Sequence, residues 1–498
     1  MSVLAAVPLL LALQALSPLP AASPAPIPAH PDQLRFAPIE FTPPRAADHR
    51  VQLPNGLVVF VAEDRSLPLV NLTLLSRAGS YLEPAGKEGL AALAGSLMRR
   101  GGTRSLSADE LDEKLDDLAA QVSTGIGPSS AAASLNCLAD NFDEALAVFV
   151  EILKSPRFQQ DRLDLAREQE LQELARRNDD SEDIEGREWD LLVEGPDHFT
   201  NRFVTAASLR AITRQDLLDF HRRSFHPAHM VVAVTGAFER AAVLKKLQAA
   251  FAGWPGPVPQ VPPVPDGLGR SAAPGLYRVQ KDVNQGRVSI GLPAVRRDHP
   301  DVYALEVMNE ILGGSGFTSR ITRRVRSDEG LAYSAGSRLS FGTWWPGSFR
   351  AAFQSKSRSV AWATQIVLEE IGRIRESPVS VEELDTITRS LVETFPSNFA
   401  SPAQSMGIFA ADEYTRRDPA WWRTYRERIQ AVTAADVQRV ARQHLDPEQL
   451  RILVVGAQAE IAQGDPGHPV RLESLAPGGR VEDLPLRDPL TMQPLAKP

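Results

Sequence analysis

Arg326 and Tyr333 carry donors of a kind that can meet developing negative charge. They lie seven residues apart in Arg326-Ser-Asp-Glu-Gly-Leu-Ala-Tyr333. A guanidinium and a phenol both donate hydrogen bonds, and both gain strength toward an oxyanion in a site that excludes water. Without their surroundings they more readily describe an arginine on a helix surface and a tyrosine at a strand start. No Ser-His-Asp or Cys-His arrangement can be argued from spacing. The single cysteine, Cys137, sits in Ala131-Ala-Ala-Ser-Leu-Asn-Cys-Leu and reads as a small buried apolar residue. Gly313-Gly-Ser-Gly316 lacks the Gly-Lys-Ser/Thr ending of a phosphate loop and reads as a turn.

Metal donors are sparse. His221, His226 and His229 form the densest histidine group, at intervals of five and three. Pro227 breaks helical geometry between them, so they read as structural. His30, His49, His198, His299, His444 and His468 are scattered. Glu173 stands on a charged helix beside Arg176 and Arg177, and a lone carboxylate makes no zinc site.

The elements that must position these residues alternate in type. Residues 56–62, 70–75 and 131–138 read as strands, and residues 89–100 as a buried helix. Ser107-Ala-Asp-Glu110 is a capping box opening a helix to about 120, with further helices expected at 141–153 and 159–177. Later strands are expected at 287–292, 332–339 and 348–354, with long helices starting at Val360, Val381, Pro402 and Ala434. This alternation predicts α+β layers with antiparallel sheets.

A repeat organises the chain. Ala211-Ile-Thr-Arg-Gln-Asp and Ala431-Val-Thr-Ala-Ala-Asp open two ungapped segments at an offset of 220 (213 to 433, 236 to 456). Thr213/Thr433, Asp216/Asp436, Arg222/Arg442, Pro227/Pro447 and Gly236/Gly456 coincide. Each copy reads as a Thr-capped helix, a proline-marked turn and a strand ending at glycine. Between the halves, Trp254-Pro-Gly-Pro-Val-Pro-Gln-Val-Pro-Pro-Val-Pro carries six prolines and predicts a stiff linker. The expected organisation is a signal peptide at 1–22, an extended lead-in at 23–45 and a first domain at 46–255. A linker at 256–275, a second domain at 276–460 and an irregular tail at 461–498 complete it.

Composition bounds the function. The chain has 498 residues, 43% hydrophobic and 23% charged, with net charge −8. That balance disfavours a nucleic-acid face. The apolar run from Val3 to Leu16, followed by small residues near Ala22, reads as an export signal and is too short to span a bilayer comfortably. A periplasmic or secreted protein without stable membrane insertion is expected.

Two stretches resemble the M16 peptidases (pitrilysin, insulysin, mitochondrial processing peptidase). The first is Arg77-Ala-Gly-Ser-Tyr-Leu-Glu-Pro-Ala-Gly-Lys, followed by Gly89-Leu-Ala-Ala-Leu-Ala-Gly-Ser-Leu-Met-Arg-Arg-Gly-Gly-Thr103. In active members this helix carries His-x-x-Glu-His, two zinc ligands and a general base. The matching positions here are Ala92, Gly95 and Ser96, none of which can ligate zinc or take a proton. Glu173 matches the third ligand, 77 residues after Ser96. The second stretch, Asn309 to Ser334, resembles the C-terminal-domain signature. Arg326 and Tyr333 fall on the positions that reach across the chamber toward the substrate carbonyl. Leu53-Pro-Asn-Gly-Leu, Ala78-Gly-Ser, Glu173, His226-Pro, the linker and the Arg/Tyr pair arrive in family order.

The resemblance implies two homologous α/β halves of the M16 type forming a clam-shell chamber. It implies a zinc-less subunit, with no cofactor of its own, that pairs with a zinc-bearing M16 sibling. The substrate would be a peptide added as a β-strand to a sheet edge. The competing expectation is a peptide-binding or structural scaffold that contributes nothing to catalysis.

Overall fold

The computed structural model describes residues 29–30, 33–34 and 40–495. The expected signal peptide and nearly all of the lead-in lie outside these residues. Backbone contacts separate Met1–Phe41 from Thr42–Pro498, and the second unit holds every element considered below.

Among the described residues, twelve strands build two six-stranded sheets. The first comprises β1 (Arg50–Gln52), β2 (Val58–Glu63), β3 (Leu69–Ser76), β4 (Gln121–Ile126), β5 (Ala131–Leu138) and β6 (Met230–Gly236), in the order β1-β2-β6-β3-β5-β4. The second comprises β7 (Gly275–Gln280), β8 (Gln285–Pro293), β9 (Ala332–Leu339), β10 (Ser348–Lys356), β11 (Arg451–Gly456) and β12 (Val481–Leu484), in the order β12-β7-β11-β8-β10-β9. Five strands of each sheet therefore follow one topology. β2 lies parallel to β6 as β7 does to β11, and the next three strands of each sheet are antiparallel. Only the outer edge differs, since β1 runs antiparallel to β2 while β12 runs parallel to β7.

The local chemistry of the two halves also matches. Helices Arg214–Ser224 and Ala434–His444 each open with a reciprocal Thr/Asp cap, Thr213 with Asp216 and Thr433 with Asp436. Each cap satisfies two otherwise unpaired backbone donors. The strands that follow, β6 and β11, are buried along their whole length. Such strands read as unbroken apolar runs because both faces are covered.

That double burial explains the most consequential packing feature. One face of the first sheet carries its own helices, among them Leu90–Arg100, Phe142–Lys154 and Arg214–Ser224, around a core of leucine, valine and phenylalanine. Its other face, at Val58, Phe60, Val231 and Ala233, is covered by Met406, Phe409 and Ala410 of helix Pro402–Thr415 from the far half of the chain. Reciprocally, Ile184, Trp189 and Leu192 of helix Ser181–Val193 cover Tyr277, Val279, Leu453 and Val455 of the second sheet. Each half lends a helix to the other. Polar ties join the exchange: Arg50 to Glu413 (2.8 Å) and Arg350 to Glu185 (2.9 Å).

The tail expectation needs correcting. Instead of staying irregular, Val481–Leu484 adds β12 to β7, and Arg487 binds the buried Glu188 at 2.8 Å. A stretch rich in Pro, Gly and Asp still supplies four strand residues here, because β7 offers an otherwise open edge. The linker is pinned by Tyr81 Oη donating to Pro262 O (3.1 Å) and Ala272 N to Leu192 O (2.9 Å). β4, β7 and helix Ser181–Val193 went unread in the sequence.

Candidate functional site

The helix Leu90–Arg100 forms because apolar residues at 90, 93, 94, 97 and 98 give one buried face. Its N-terminus is held by Glu83, which accepts from Gly89 N (3.2 Å) and Ala91 N (2.7 Å). Burial pushes the Glu83 carboxyl up to about 7, against the pull of those two backbone donors. Sequence reading missed this acid. Its signal was the glutamate standing seven residues ahead of the first helical leucine.

The three positions of the metal motif do not fit zinc. Ala92 is exposed, Ser96 is half-buried and Gly95 is buried. A Cβ on Gly95 would collide with the backbone of Ile126 and come within 2.8 Å of the Gly125 carbonyl carbon. Thr124 Oγ1 donates to Gly95 O at 2.6 Å. The edge strand β4 thus lies directly on the helix where a glutamate would have to project. Around Ser96 a cation is already present. Arg100 reaches Ser96 Oγ at 3.5 Å and Gln169 Oε1 at 3.3 Å. Gln169 stands one turn before Glu173 on helix Gln160–Ala175, and Glu173 itself is exposed. No chemistry through zinc can be built on these residues.

His221, His226 and His229 take separate partners, whereas His299 and His444, distant in sequence, meet at Asp301. Buried His221 donates from Nε2 to Leu153 O (2.8 Å), and burial lowers its imidazole to about 4. His226 Nδ1 accepts from Ala228 N (3.1 Å), and His229 Nε2 donates to Pro259 O (2.7 Å). Among the described residues, His299, Asp301 and His444 place one donor atom each within 4.8 Å of the others. Asp301 is already satisfied by Arg439 (2.8 Å) and His444 (3.0 Å). The Arg439 guanidinium holds its carboxyl below the usual range. The cluster ties the start of helix Val302–Asn309 to the end of Ala434–His444.

Arg326 and Tyr333 do come together. A wide turn at Arg323–Asp328, with Glu329 N donating five residues back to Arg324 O (3.1 Å), carries Arg326. Wide helical turns of this kind recur at functional sites. The guanidinium lies 4.5 Å from the Phe317 ring centroid and 4.8 Å from that of Tyr333. Tyr333 is 86% exposed and Phe317 66%. Both distances lie within cation–π reach, so the two rings hold the guanidinium in place without using its N–H donors. Tyr333 projects from β9, the edge strand opposite β12 in the second sheet.

The family follows from fold and sequence together. Residues 58–186 match "Insulinase (Peptidase family M16)" and residues 211–391 match "Peptidase M16 inactive domain". Together these matches take in more than half of the chain, which belongs to the M16 peptidase family as a member whose zinc helix lacks the His-x-x-Glu-His residues. It is 28% identical over 345 residues to a Helicobacter pylori protein described as non-peptidase homolog YmxG, covering 68% of this chain and 77% of that one. It is 25% identical over 400 residues to an uncharacterized zinc protease of Streptomyces coelicolor, covering 79% and 86%. The M16 inactive domain from Pseudomonas fluorescens shares the fold, with TM-score 0.71 and 22% identity over 82% of this chain and 97% of that chain.

Proposed function

We propose that this chain is the zinc-less subunit of a heteromeric M16 metallopeptidase. In this reading it supplies chamber wall and the Arg326/Tyr333 donors, while a zinc-bearing sibling supplies the metal, its ligands and the general base. One contrast supports it above the rest. The zinc helix is sealed by β4 at Gly95, yet Tyr333 stays exposed, with the half-buried Arg326 lying against it and Phe317. A purely structural chain has no need to keep a guanidinium without an ion-pair partner beside an exposed tyrosine. The substrate would be a peptide or unfolded segment adding to a sheet edge.

The test is reconstitution with the zinc-bearing sibling. Arg326→Ala and Tyr333→Phe should leave association intact and lower kcat of the mixed complex by about 10²–10³, the usual cost of one oxyanion donor. KM should rise less than kcat falls, because such a bond forms mainly in the transition state. Full turnover by both variants would remove the catalytic role and leave the scaffold reading, which the description of the Helicobacter pylori relative favours.

The apolar N-terminal run makes this an exported protein in the same proposal. Among the described residues no helix is long and apolar enough to cross a membrane. N-terminal sequencing of the mature protein should find a start near Ser23. An intact Met1 on soluble cytoplasmic protein would contradict export.

A further inference from the structure

The edge that carries Tyr333 has a charge pattern that transition-state stabilisation does not require. A groove of about 470 Å³ follows β9 from Ser334 to Arg338 and is walled by the glycine-rich turn at 313–316. Arg326, Arg338 and Arg350 line it, and no carboxylate does. This is unexpected in a chain of net charge −8. Arg350 is neutralised by Glu185 at 2.9 Å. Arg338 is exposed, and among the described residues neither it nor Arg326 has a hydrogen-bond or ion-pair partner.

Arg338 also stands directly across from Arg350 in the antiparallel β9/β10 pair. Like charges at such positions destabilise a sheet; Glu185 offsets the charge of Arg350, and Arg338 is left, among the described residues, without an ion-pair partner of its own. The groove wall is made of small residues. A Cβ on Gly336 would come within 2.7 Å of Gly313 O, so turn and strand approach backbone to backbone. The space therefore suits a narrow extended chain whose side chains are anionic. A long polyanion would meet the net negative charge of the whole protein, whereas a short acidic segment meets only the local arginines.

We propose that this groove binds an acidic peptide segment, with Arg338 as the charge-selecting residue and Arg326 as its second cation. The inference rests on the reading that Arg326 and Tyr333 face substrate, and it assigns that substrate a class.

Binding of short fluorescein-labelled peptides to the full chain, read by anisotropy, tests it. The peptides alternate valine with glutamate, glutamine or lysine. At low salt the glutamate peptide should bind roughly tenfold tighter than the glutamine peptide, as two exposed ion pairs allow, with lysine weakest. The preference should shrink as salt is added. Arg338→Glu should reverse the order while circular dichroism stays unchanged. Equal binding of the glutamate and glutamine peptides, or an unchanged order in Arg338→Glu, overturns the charge selection. Loss of turnover in Arg326→Ala would survive that result, so the two readings fail separately. A single-stranded oligonucleotide binding as tightly as the glutamate peptide would also overturn the proposal.

Discussion

At the scale of single residues, Gly95 decides more than Ala92 or Ser96. Missing ligands can in principle be restored by substitution, but a side chain at 95 has no room while β4 stays in place. The triple change Ala92→His, Gly95→Glu, Ser96→His should therefore fail to hold stoichiometric zinc, even with Glu173 present. Forcing a side chain into a close-packed contact typically costs about 1–3 kcal/mol, so the triple variant should unfold at lower urea than the double variant that keeps Gly95. Elemental analysis and urea melts would check both points. A triple variant that is as stable as wild type and carries one zinc would show that β4 can move aside. The identities at 92, 95 and 96 were legible in the sequence. The steric seal was not, because β4, Gln121-Val-Ser-Thr-Gly-Ile, is too polar to announce itself as a strand. Its pairing with β5 and its contact with the helix are long-range facts.

At the scale of elements, the exchanged helices set the stability of the joint between halves. Phe409 is 3% exposed and packs at a tilt against Phe60, with ring centroids 5.9 Å apart. Phe409→Ala should destabilise the chain by about 3–5 kcal/mol, the range for a buried aromatic truncated to alanine. Calorimetry should show the whole transition shifting down. A low-temperature shoulder with an unmoved main peak would mean that the helix docks as a separate unit. Most elements were readable beforehand: helices starting at Val360, Val381, Pro402 and Ala434 appear where capping and periodicity put them. The destination of helix Pro402–Thr415 was not readable. Its apolar residues say that a face is buried, and they do not say against which sheet.

At the scale of the whole molecule, the exchange means that cutting at the linker should leave two incomplete cores. Residues 42–255 expressed alone would uncover Val58, Phe60, Val231 and Ala233, and residues 256–498 alone would uncover Tyr277, Val279, Leu453 and Val455. Each fragment should bind hydrophobic dyes and lack a cooperative melt, and co-expression should restore one. Cooperative unfolding of either fragment by itself would show that the borrowed helix is dispensable.

The sequence by itself determined the family frame, the duplicate Thr-capped helix and strand 220 residues apart, the chemical emptiness of the zinc positions and the Arg326/Tyr333 pair. These are properties of residue type and local spacing, which hydrogen-bond capping and apolar periodicity fix over a few turns. Tertiary structure alone decided that β4 seals Gly95, that Phe317 also lies against Arg326, and that Arg338 faces Arg350 across a strand pair. It also decided that each sheet is roofed by the other half. Each of these joins residues distant in sequence or on separate elements. Their meeting depends on which apolar faces remain uncovered after the local elements form, and burial is blind to where along the chain the covering residue comes from.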